Sequence, residues 1–175
     1  MRFDLEVTAS ETLPEVKIVQ PSSGSDHRGE IWTIWERENI LPDHLSFNLC
    51  KFTRSVKDTL RGLHGCFNTW KYMSVPHGEV FFAAVDVRED SPNFLKSQTL
   101  ILNDENHLGV LVPPGFVNGH LCLSEQCLYH YMMSYEGDYI EPHEQVVLRW
   151  DDERLGINWP ITNPILSERD KASNI

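Results

Sequence analysis

The chain is punctuated by short apolar or alternating segments that Gly, Pro, Asn and Asp residues separate. These segments recur roughly every 8–12 residues, which is the spacing of strands in a β-sandwich or β-barrel. Several are rich in Val, Ile, Phe, Tyr and Trp, which suit half-buried pleated surfaces. Because helical segments do not alternate with them, a parallel α/β sheet is not expected. The sequence therefore predicts an all-β barrel or sandwich.

The strand pattern can be placed along the chain, and only two short helices accompany it. The predicted strands are residues 16–20, 30–35, 47–53, 71–75, 79–87, 98–102, 108–112, 119–123, 127–134 and 146–150. Helices are expected at 36–41 and at 166–172, where Ser167 can cap the second one. A closed or double-sheet arrangement such as a jelly roll would remove exposed strand edges.

Length and charge limit the function classes. A chain of 175 residues suits one domain, residues 1–175, with a single core. A net charge of −11 disfavours binding to nucleic acid or to anionic membranes, which requires a basic surface. The apolar runs are too short to cross a bilayer and the N-terminus does not match a secretory signal. We expect a cytoplasmic protein that binds neither nucleic acid nor membrane.

The cysteines fit that compartment. They are Cys50, Cys66, Cys122 and Cys127, and no two form a C-x-x-C pair. Structural zinc ligands usually come in such close pairs, so a zinc site is not expected from these residues. The simplest interpretation is four reduced thiols packed inside a cytosolic protein.

A first polar cluster combines Arg61 and His64 with neighbouring glycines. Neutral histidine is a good base near pH 7, and glycine allows a ligand to approach the backbone closely. A surface turn that happens to contain a histidine explains the same residues. The residues by themselves leave both interpretations open.

Two further clusters lie on predicted strands. A Pro-Pro-Gly turn leads into a strand on which Asn118 and His120 share one face. In the third cluster Tyr129 and Tyr131 share a face and His130 takes the other. A tyrosine inside a barrel can act as a general acid. Turn chemistry and core packing are the ordinary alternatives for these two clusters.

Taken together, these clusters belong to a longer series of motifs in a fixed order. The series is D-x-R-G at 26–29, L-R-G-L-H at 60–64, G-E-V and V-D-V-R within 78–88, S-P-N-F at 91–94, P-P-G-F at 113–116, W-D-D-E-x-L-G-I-x-W-P at 150–160 and L-S-E-R-D at 166–170. This order resembles the 3,5-epimerases of nucleotide-linked 4-keto sugars, best known from dTDP-rhamnose biosynthesis. The resemblance covers nearly the whole chain, from about residue 19 to residue 172.

The resemblance implies a cupin jelly roll with a few short helices. It also implies a homodimer with a strand exchanged between subunits, and a C-terminal tail, 151–175, that packs near the site. Many cupins bind metal through an H-x-H pair, but here only His64 is present, followed by Gly65 and Cys66. We therefore expect no metal. No cofactor is expected either, because G-x-G-x-x-G and P-loop patterns are absent.

The family's catalytic roles carry over by position. His64 resembles the base that removes the proton next to the ketone, and Asp170 resembles the carboxylate that pairs with it. Tyr131 resembles the acid that returns a proton to the opposite face. Lys71 resembles the cation beside the C4 oxygen.

The expected substrate is a nucleotide sugar. Arg61 and Arg28 resemble diphosphate contacts of the family. Further substrate contacts are expected from Lys51, Asn118, His120 and Glu30.

Several positions depart from the family pattern. Asn118 stands where the family usually has a histidine, and His120 stands where it has an aromatic residue. Gly65 replaces an aromatic residue, and Met132 replaces a lysine. These departures argue against the standard rhamnose-pathway substrate. The stretches R-G-E-I-W-T at 28–33, R-G-L-H-G at 61–65, N-G-H at 118–120 and Y-E-G-D-Y-I at 135–140 resemble a branch that acts on GDP-linked 4-keto-heptoses in capsule biosynthesis. The sequence thus favours a GDP-4-keto-heptose, then a dTDP-4-keto-6-deoxyhexose, with inversion at C3, C5 or both.

Other functions fit parts of the pattern. A sugar-nucleotide 3,4-ketoisomerase is also a cupin, but it would move the carbonyl instead of inverting a centre. A non-catalytic sugar-binding cupin would have lost the base and the acid. A metal-dependent cupin oxygenase ranks last because the H-x-H pair is missing.

Overall fold

The structure is a computed structural model that describes residues 3–36, 42 and 46–172, and strands dominate it. The strands are β1 Leu5–Ala9, β2 Lys17–Pro21, β3 Ser23–Asp26, β4 Gly29–Trp32, β5 Leu49–Val56, β6 Leu60–Cys66, β7 Thr69–His77, β8 Glu79–Asp86, β9 Ser97–Asn103, β10 Gly109–Val112, β11 Phe116–Cys122, β12 Gln126–Tyr135 and β13 Val146–Val147. Short 3-10 turns span Pro142–Glu144 and Glu153–Leu155, and helix α1 spans Glu168–Lys171. Residues 37–41 of the helix predicted at 36–41 lie outside the described residues.

The strands form two large sheets and one small one. The six-stranded sheet has the order β1-β2-β10-β7-β12-β5, and the five-stranded sheet has the order β13-β6-β11-β8-β9. Strands β3 and β4 form a separate two-stranded hairpin. All these strand pairs are antiparallel. The prediction of an all-β, double-sheet architecture is confirmed.

Strand β8 shows why the five-stranded sheet holds its place. Val80, Phe82 and Ala84 point into the main core between the two large sheets. Ala83 and Val85 point the other way, into a second apolar cluster. Alternation along a strand sends successive side chains to opposite faces, so a strand buried on both faces has a continuous apolar sequence.

The second cluster is covered by the segment after β13. Leu148 and Leu155 are each only 2% exposed there, and Trp159 packs against the cluster. The Trp159 ring lies 5.2 Å from the ring of Phe81, measured between centroids. Burial of these apolar side chains ties the C-terminal segment to the outer face of the five-stranded sheet.

Strand β6 was not among the predicted strands, and its glycines explain why. A Cβ on Gly65 would lie 2.0 Å from the carbonyl oxygen of Phe116. A Cβ on Gly62 would lie 2.5 Å from the Cα of Gly119 on the same partner strand. The glycines therefore let β6 and β11 approach closely, and they do not form a turn. The alternative of a surface turn around His64 is wrong.

Other differences lie at strand boundaries and in weakly apolar strands. The prediction at 146–150 extends too far, because only Val146 and Val147 pair with β6. The prediction at 30–35 likewise continues past the end of β4 at Trp32. Strands β1 and β3 were missed; β3 is the polar sequence SGSD, which pairs only within its own hairpin.

Candidate active site

A cavity of about 350 Å³ lies between the two large sheets. Strands β6 and β11 line it on one side, and β5, β7 and β12 line it on the other. Residues 139–145 and the start of α1 complete its wall. All the predicted site residues except Arg28 and Glu30 line this cavity.

His64 projects from β6 and pairs with Asp170 of α1. The His64 Nε2 and Asp170 Oδ1 atoms are 2.6 Å apart. The imidazole is 22% exposed and the carboxylate 4%. Because Nε2 faces the carboxylate, it carries the proton, and Nδ1 is the basic nitrogen of the neutral ring.

The local structure of the tail brings Asp170 to this position. Residue Ile165 bonds to the backbone on both sides of Thr59: its N–H donates to Asp58 and its carbonyl accepts from Leu60. This bridge fixes the tail to the start of β6, the strand that carries His64 five residues after Thr59 in the chain.

Helix α1 then orients the carboxylate. The Ser167 Oγ accepts a hydrogen bond from the Asp170 backbone N–H at 3.2 Å, as an N-terminal cap. The same hydroxyl donates to Asp170 Oδ2 at 2.7 Å. Burial opposes ionisation of Asp170, but the hydrogen bonds of His64 and Ser167 outweigh it and hold the pKa below its usual range. The carboxylate is therefore ionised at neutral pH.

Lys71 reaches from β7 across the cavity to the opposite sheet. Its Nζ donates to the His64 carbonyl and to Asn118 Oδ1, both at 3.0 Å. Desolvation, with a smaller repulsion from Arg169, lowers the pKa of Lys71 to about 8. Asn118 thus accepts from the ammonium through its oxygen and retains its amide N–H groups as donors.

Tyr131 lies on β12, in the sheet that faces His64. Tyr129 occupies the same side of that strand, with its ring centroid 6.2 Å from that of Tyr131. His130 points to the other side, where its Nε2 is 3.3 Å from the Sγ of Cys50. The predicted alternation of these three side chains is confirmed.

His120 lies deep in the cavity and is 4% exposed. Its ring stacks on Tyr129 with centroids 3.8 Å apart and an interplanar angle of 14°. Burial, together with repulsion from Arg61 and His64, lowers the pKa of His120 to about 3. The imidazole is therefore neutral at physiological pH. Because Asn118 and His120 both line the cavity, the alternative that they only cap backbone groups of a turn is wrong.

Cations surround the rest of the cavity. Arg61 bonds to Ser55 Oγ through Nε at 3.0 Å. Lys51 donates to the Tyr139 hydroxyl at 3.3 Å and lies 4.8 Å from the centre of that ring. Arg169, which sequence reasoning missed, lines the same cavity and bonds to Gln145 Oε1 at 3.2 Å.

Arg28 and Glu30 lie elsewhere in this chain. Arg28 sits at the tip of the β3–β4 hairpin, 79% exposed, and its guanidinium bonds to both carboxylate oxygens of Asp26. Glu30 bonds to His107 at 3.1 Å, and Trp32 stacks on the same imidazole with centroids 3.8 Å apart. Within one chain, then, the structure does not bring Arg28 or Glu30 to the cavity.

Within the described part of the chain, no group of three or more His, Cys, Asp or Glu residues is placed to hold a metal ion. The same residues include no helix long and apolar enough to cross a membrane. The four cysteines are unpaired, but Cys50 is exposed, so the expectation that all four thiols are packed inside the protein is wrong for Cys50. The expectation of a metal-free protein stays a prediction.

The chain matches the family model described as dTDP-4-dehydrorhamnose 3,5-epimerase over residues 10–175. A protein of that name from Escherichia coli is 34% identical over 91% of this chain and 88% of its own length. The Neisseria gonorrhoeae protein of that name is 37% identical over 91% of this chain, which spans about half, 49%, of that longer relative.

A solved structure of a related epimerase has the same fold as this chain. The dTDP-6-deoxy-D-glucose-3,5-epimerase of Legionella pneumophila, in complex with dTDP-4-keto-L-rhamnose, superposes with a TM-score of 0.87 and 31% identity. The match covers 97% of this chain and 92% of that one. The predicted cupin jelly roll is confirmed. From the family model and these relatives, the chain belongs to the dTDP-4-dehydrorhamnose 3,5-epimerase family of isomerases.

Proposed function

We propose that this chain inverts C3, C5 or both in a nucleotide-linked 4-keto sugar. One observation carries the proposal: the His64–Asp170 pair and Tyr131 face the same cavity from opposite sheets. Inversion requires that a proton leave one face of a carbon and that another arrive at the opposite face. Two proton-transfer groups on opposite walls meet this requirement, whereas one group does not.

In the proposed step, His64 Nδ1 takes the proton from the carbon next to the C4 ketone. The electron pair of the broken C–H bond moves to the C4 oxygen and forms an enolate. The new imidazolium is stabilised by the ionised carboxylate of Asp170, 2.6 Å from Nε2. Tyr131 then donates its proton to the opposite face of the carbon, and solvent restores both groups.

The enolate needs a cation and hydrogen-bond donors that are already in place. Lys71 is held by the His64 carbonyl and by Asn118, both 3.0 Å from its Nζ. We assign the ammonium and the Asn118 amide to the C4 oxygen, where negative charge develops. Because the proton is removed and returned, the sugar's oxidation state does not change and no redox cofactor is required.

The substrate's diphosphate is assigned to the cations on the cavity wall. Arg61, Lys51 and Arg169 carry the donors, and arginine suits phosphate because its planar fork can make two parallel hydrogen bonds. Tyr139, beside Lys51, offers an aromatic surface for the nucleoside.

The identity of the sugar follows the relatives first. They are named for dTDP-linked 6-deoxyhexoses, so a dTDP-4-keto-6-deoxyhexose ranks first and a GDP-4-keto-heptose second. This order reverses the one that the sequence alone favours. The heptose stays in second place because Asn118 and His120 depart from the family pattern in the sugar pocket.

Product analysis tests the proposal directly. The protein is incubated with each 4-keto sugar nucleotide, generated in situ, and the product is examined by NMR. Inversion with the carbonyl still at C4 is the expected result. A carbonyl moved to C3 would identify a ketoisomerase, and binding without conversion would identify a sugar-binding protein. His64→Asn should lose conversion and keep nucleotide binding.

A homodimer is part of the proposal, since Arg28 and Glu30 do not reach their own cavity. We assign the exposed β3–β4 hairpin to the cavity of a second copy, where Arg28 would meet the diphosphate. Mixing inactive Arg28→Ala with inactive His64→Asn should then restore about a quarter of wild-type activity, because half of the dimers are mixed and have one intact site. No recovery after subunit exchange would mean that Arg28 acts within its own chain or not at all.

A further inference from the structure

His120 and Tyr129 form a buried polar part of the cavity wall, which we call the floor of the cavity. The two rings are stacked 3.8 Å apart between strands β11 and β12. Both are nearly inaccessible, at 4% and 3% exposure. Each ring nevertheless ends in a polar atom, so this floor is not a purely apolar one.

These polar atoms lack partners among the described residues. Nε2 of His120 and the hydroxyl of Tyr129 are both buried without a hydrogen bond of good geometry. Burial raises the pKa of Tyr129 well above its usual value, and the nearby Asn118 amide opposes this shift without reversing it. Buried polar groups are nearly always hydrogen-bonded, and leaving one unmatched is costly. Two such atoms on the floor of one cavity indicate that a bound polar group completes them.

The strand register locates this floor relative to the reacting atoms. On β11, Asn118 pairs with His64 and His120 pairs with Arg61 of the neighbouring strand. In the proposed function Arg61 binds the diphosphate that C1 carries, and His64 acts at a carbon next to the C4 ketone, which is taken here as C3. His120 therefore lies level with Arg61, at the end of the sugar that carries the diphosphate, and C2 is the hydroxyl-bearing ring carbon next to that end.

We propose that His120 and Tyr129 form a subsite for the hydroxyl at C2 of the sugar, which makes them specificity-determining residues. The inference rests on the proposed function for the orientation of the sugar. A hydroxyl both donates and accepts, so it can satisfy a neutral imidazole nitrogen and a phenol together. Because burial lowers the pKa of His120 to about 3, its imidazole is a weak base, and we assign it to hydrogen bonding and not to proton transfer.

A sugar without the C2 hydroxyl would leave both buried atoms unmatched. Sites built to bond a hydroxyl discriminate strongly against analogues that lack it, because their own polar groups lose a partner. For this pair the expected loss in kcat/KM is about 10- to 100-fold.

The test compares dTDP-4-keto-6-deoxyglucose with its 2-deoxy counterpart, using deuterium uptake next to the ketone as the readout. The proteins are the wild type, His120→Phe, which keeps the stack on Tyr129, and His77→Phe as a matched control. His77 has a 72% exposed side chain that faces Asp104 at the surface. Wild type and His77→Phe should prefer the 2-hydroxy sugar by about 10- to 100-fold, and His120→Phe should lose that preference.

Equal kcat/KM values for the two sugars in the wild type would overturn the proposed C2-hydroxyl subsite. An ordered water would then be the partner of the His120 and Tyr129 polar atoms. An unchanged preference in His120→Phe would also overturn the subsite. If His120→Phe does not fold, Tyr129→Phe is used in its place. We expect this variant to show a reduced preference for the 2-hydroxy sugar, and a preference equal to that of the wild type would contradict the proposal. Failure of the wild type to convert these two sugars and a GDP-linked 4-keto-heptose as well would refute the proposed function itself, whereas equal kcat/KM values refute only the subsite.

Discussion

The His64–Asp170 hydrogen bond can be weakened without changing the shape of the site by the substitution Asp170→Asn. The amide can present its oxygen to His64 Nε2 and its NH₂ to Ser167 Oγ, which now lie 2.6 Å and 2.7 Å from the two carboxylate oxygens. The change therefore removes the negative charge and keeps both contacts. A change in the reaction rate therefore reports the contribution of the negative charge of Asp170.

The magnitude follows from the difference between two kinds of hydrogen bond. A bond to a charged group contributes about 1.5–3 kcal/mol and one between neutral groups about 0.5–1.5 kcal/mol. The Asp170 carboxylate is only 4% exposed, so solvent screens its charge little. The imidazolium that forms during proton removal should lose about 1–2 kcal/mol of stabilisation, which is about 5- to 30-fold in kcat.

The assay is steady-state conversion of dTDP-4-keto-6-deoxyglucose, with nucleotide binding and thermal unfolding measured in parallel. Because Asp170 acts through His64, kcat should fall while nucleotide binding stays within about twofold. Asp151→Asn is the matched control, since Asp151 pairs with Arg149 on the same tail but away from the cavity.

Two results would refute this reasoning. If Asp170→Asn retains kcat within about twofold of the wild type, the carboxylate does not stabilise the imidazolium. If it loses nucleotide binding in proportion to kcat, the residue holds the tail in place and its charge has no separate role.

Three further substitutions or conditions give definite expectations. Tyr131→Phe should abolish inversion and still allow deuterium exchange from the His64 side, as seen by mass spectrometry; full inversion would exclude Tyr131 as the acid. The kcat/KM profile, which reports the free enzyme, should fall as pH rises through about 8 because the Lys71 ammonium loses its proton there; a flat profile to pH 10 would contradict its role at C4. Gly65→Ala should lower the unfolding free energy by about 1–3 kcal/mol, since the new methyl meets the Phe116 backbone at 2.0 Å; an unchanged melting temperature would mean that β11 shifts freely.

The sequence predicts a strand and the direction of its side chains where the strand is buried on one face or on both faces. The apolar run of β8 and the alternation of Tyr129, His130 and Tyr131 both follow from strand geometry, and the structure shows them as predicted. Strand β6 could not be found in this way. Its glycines remove the side-chain signal because they admit the neighbouring strand, so the strand that carries His64 has the composition of a turn.

The site itself depends on contacts between distant residues. His64 and Asp170 are 106 residues apart in the chain. Nothing in the local sequence of Asp170 distinguishes it from a surface charge, so its role came only from the family resemblance. Arg169 and Gln145 were missed for the same physical reason: they line the cavity through contacts with strands that are distant in the chain. The L-S-E-R-D motif at 166–170, which contains Arg169, was the one signal that could have indicated it.

Isotope uptake tests the central claim most directly. The protein is incubated in deuterated water with dTDP-4-keto-6-deoxyglucose and, in parallel, with a GDP-linked 4-keto-heptose, and deuterium is located by mass spectrometry and NMR. The account predicts deuterium at C3, at C5 or at both, with inversion at each labelled carbon, and none with His64→Asn. Measurable binding of either sugar nucleotide without deuterium uptake from any of them would contradict it.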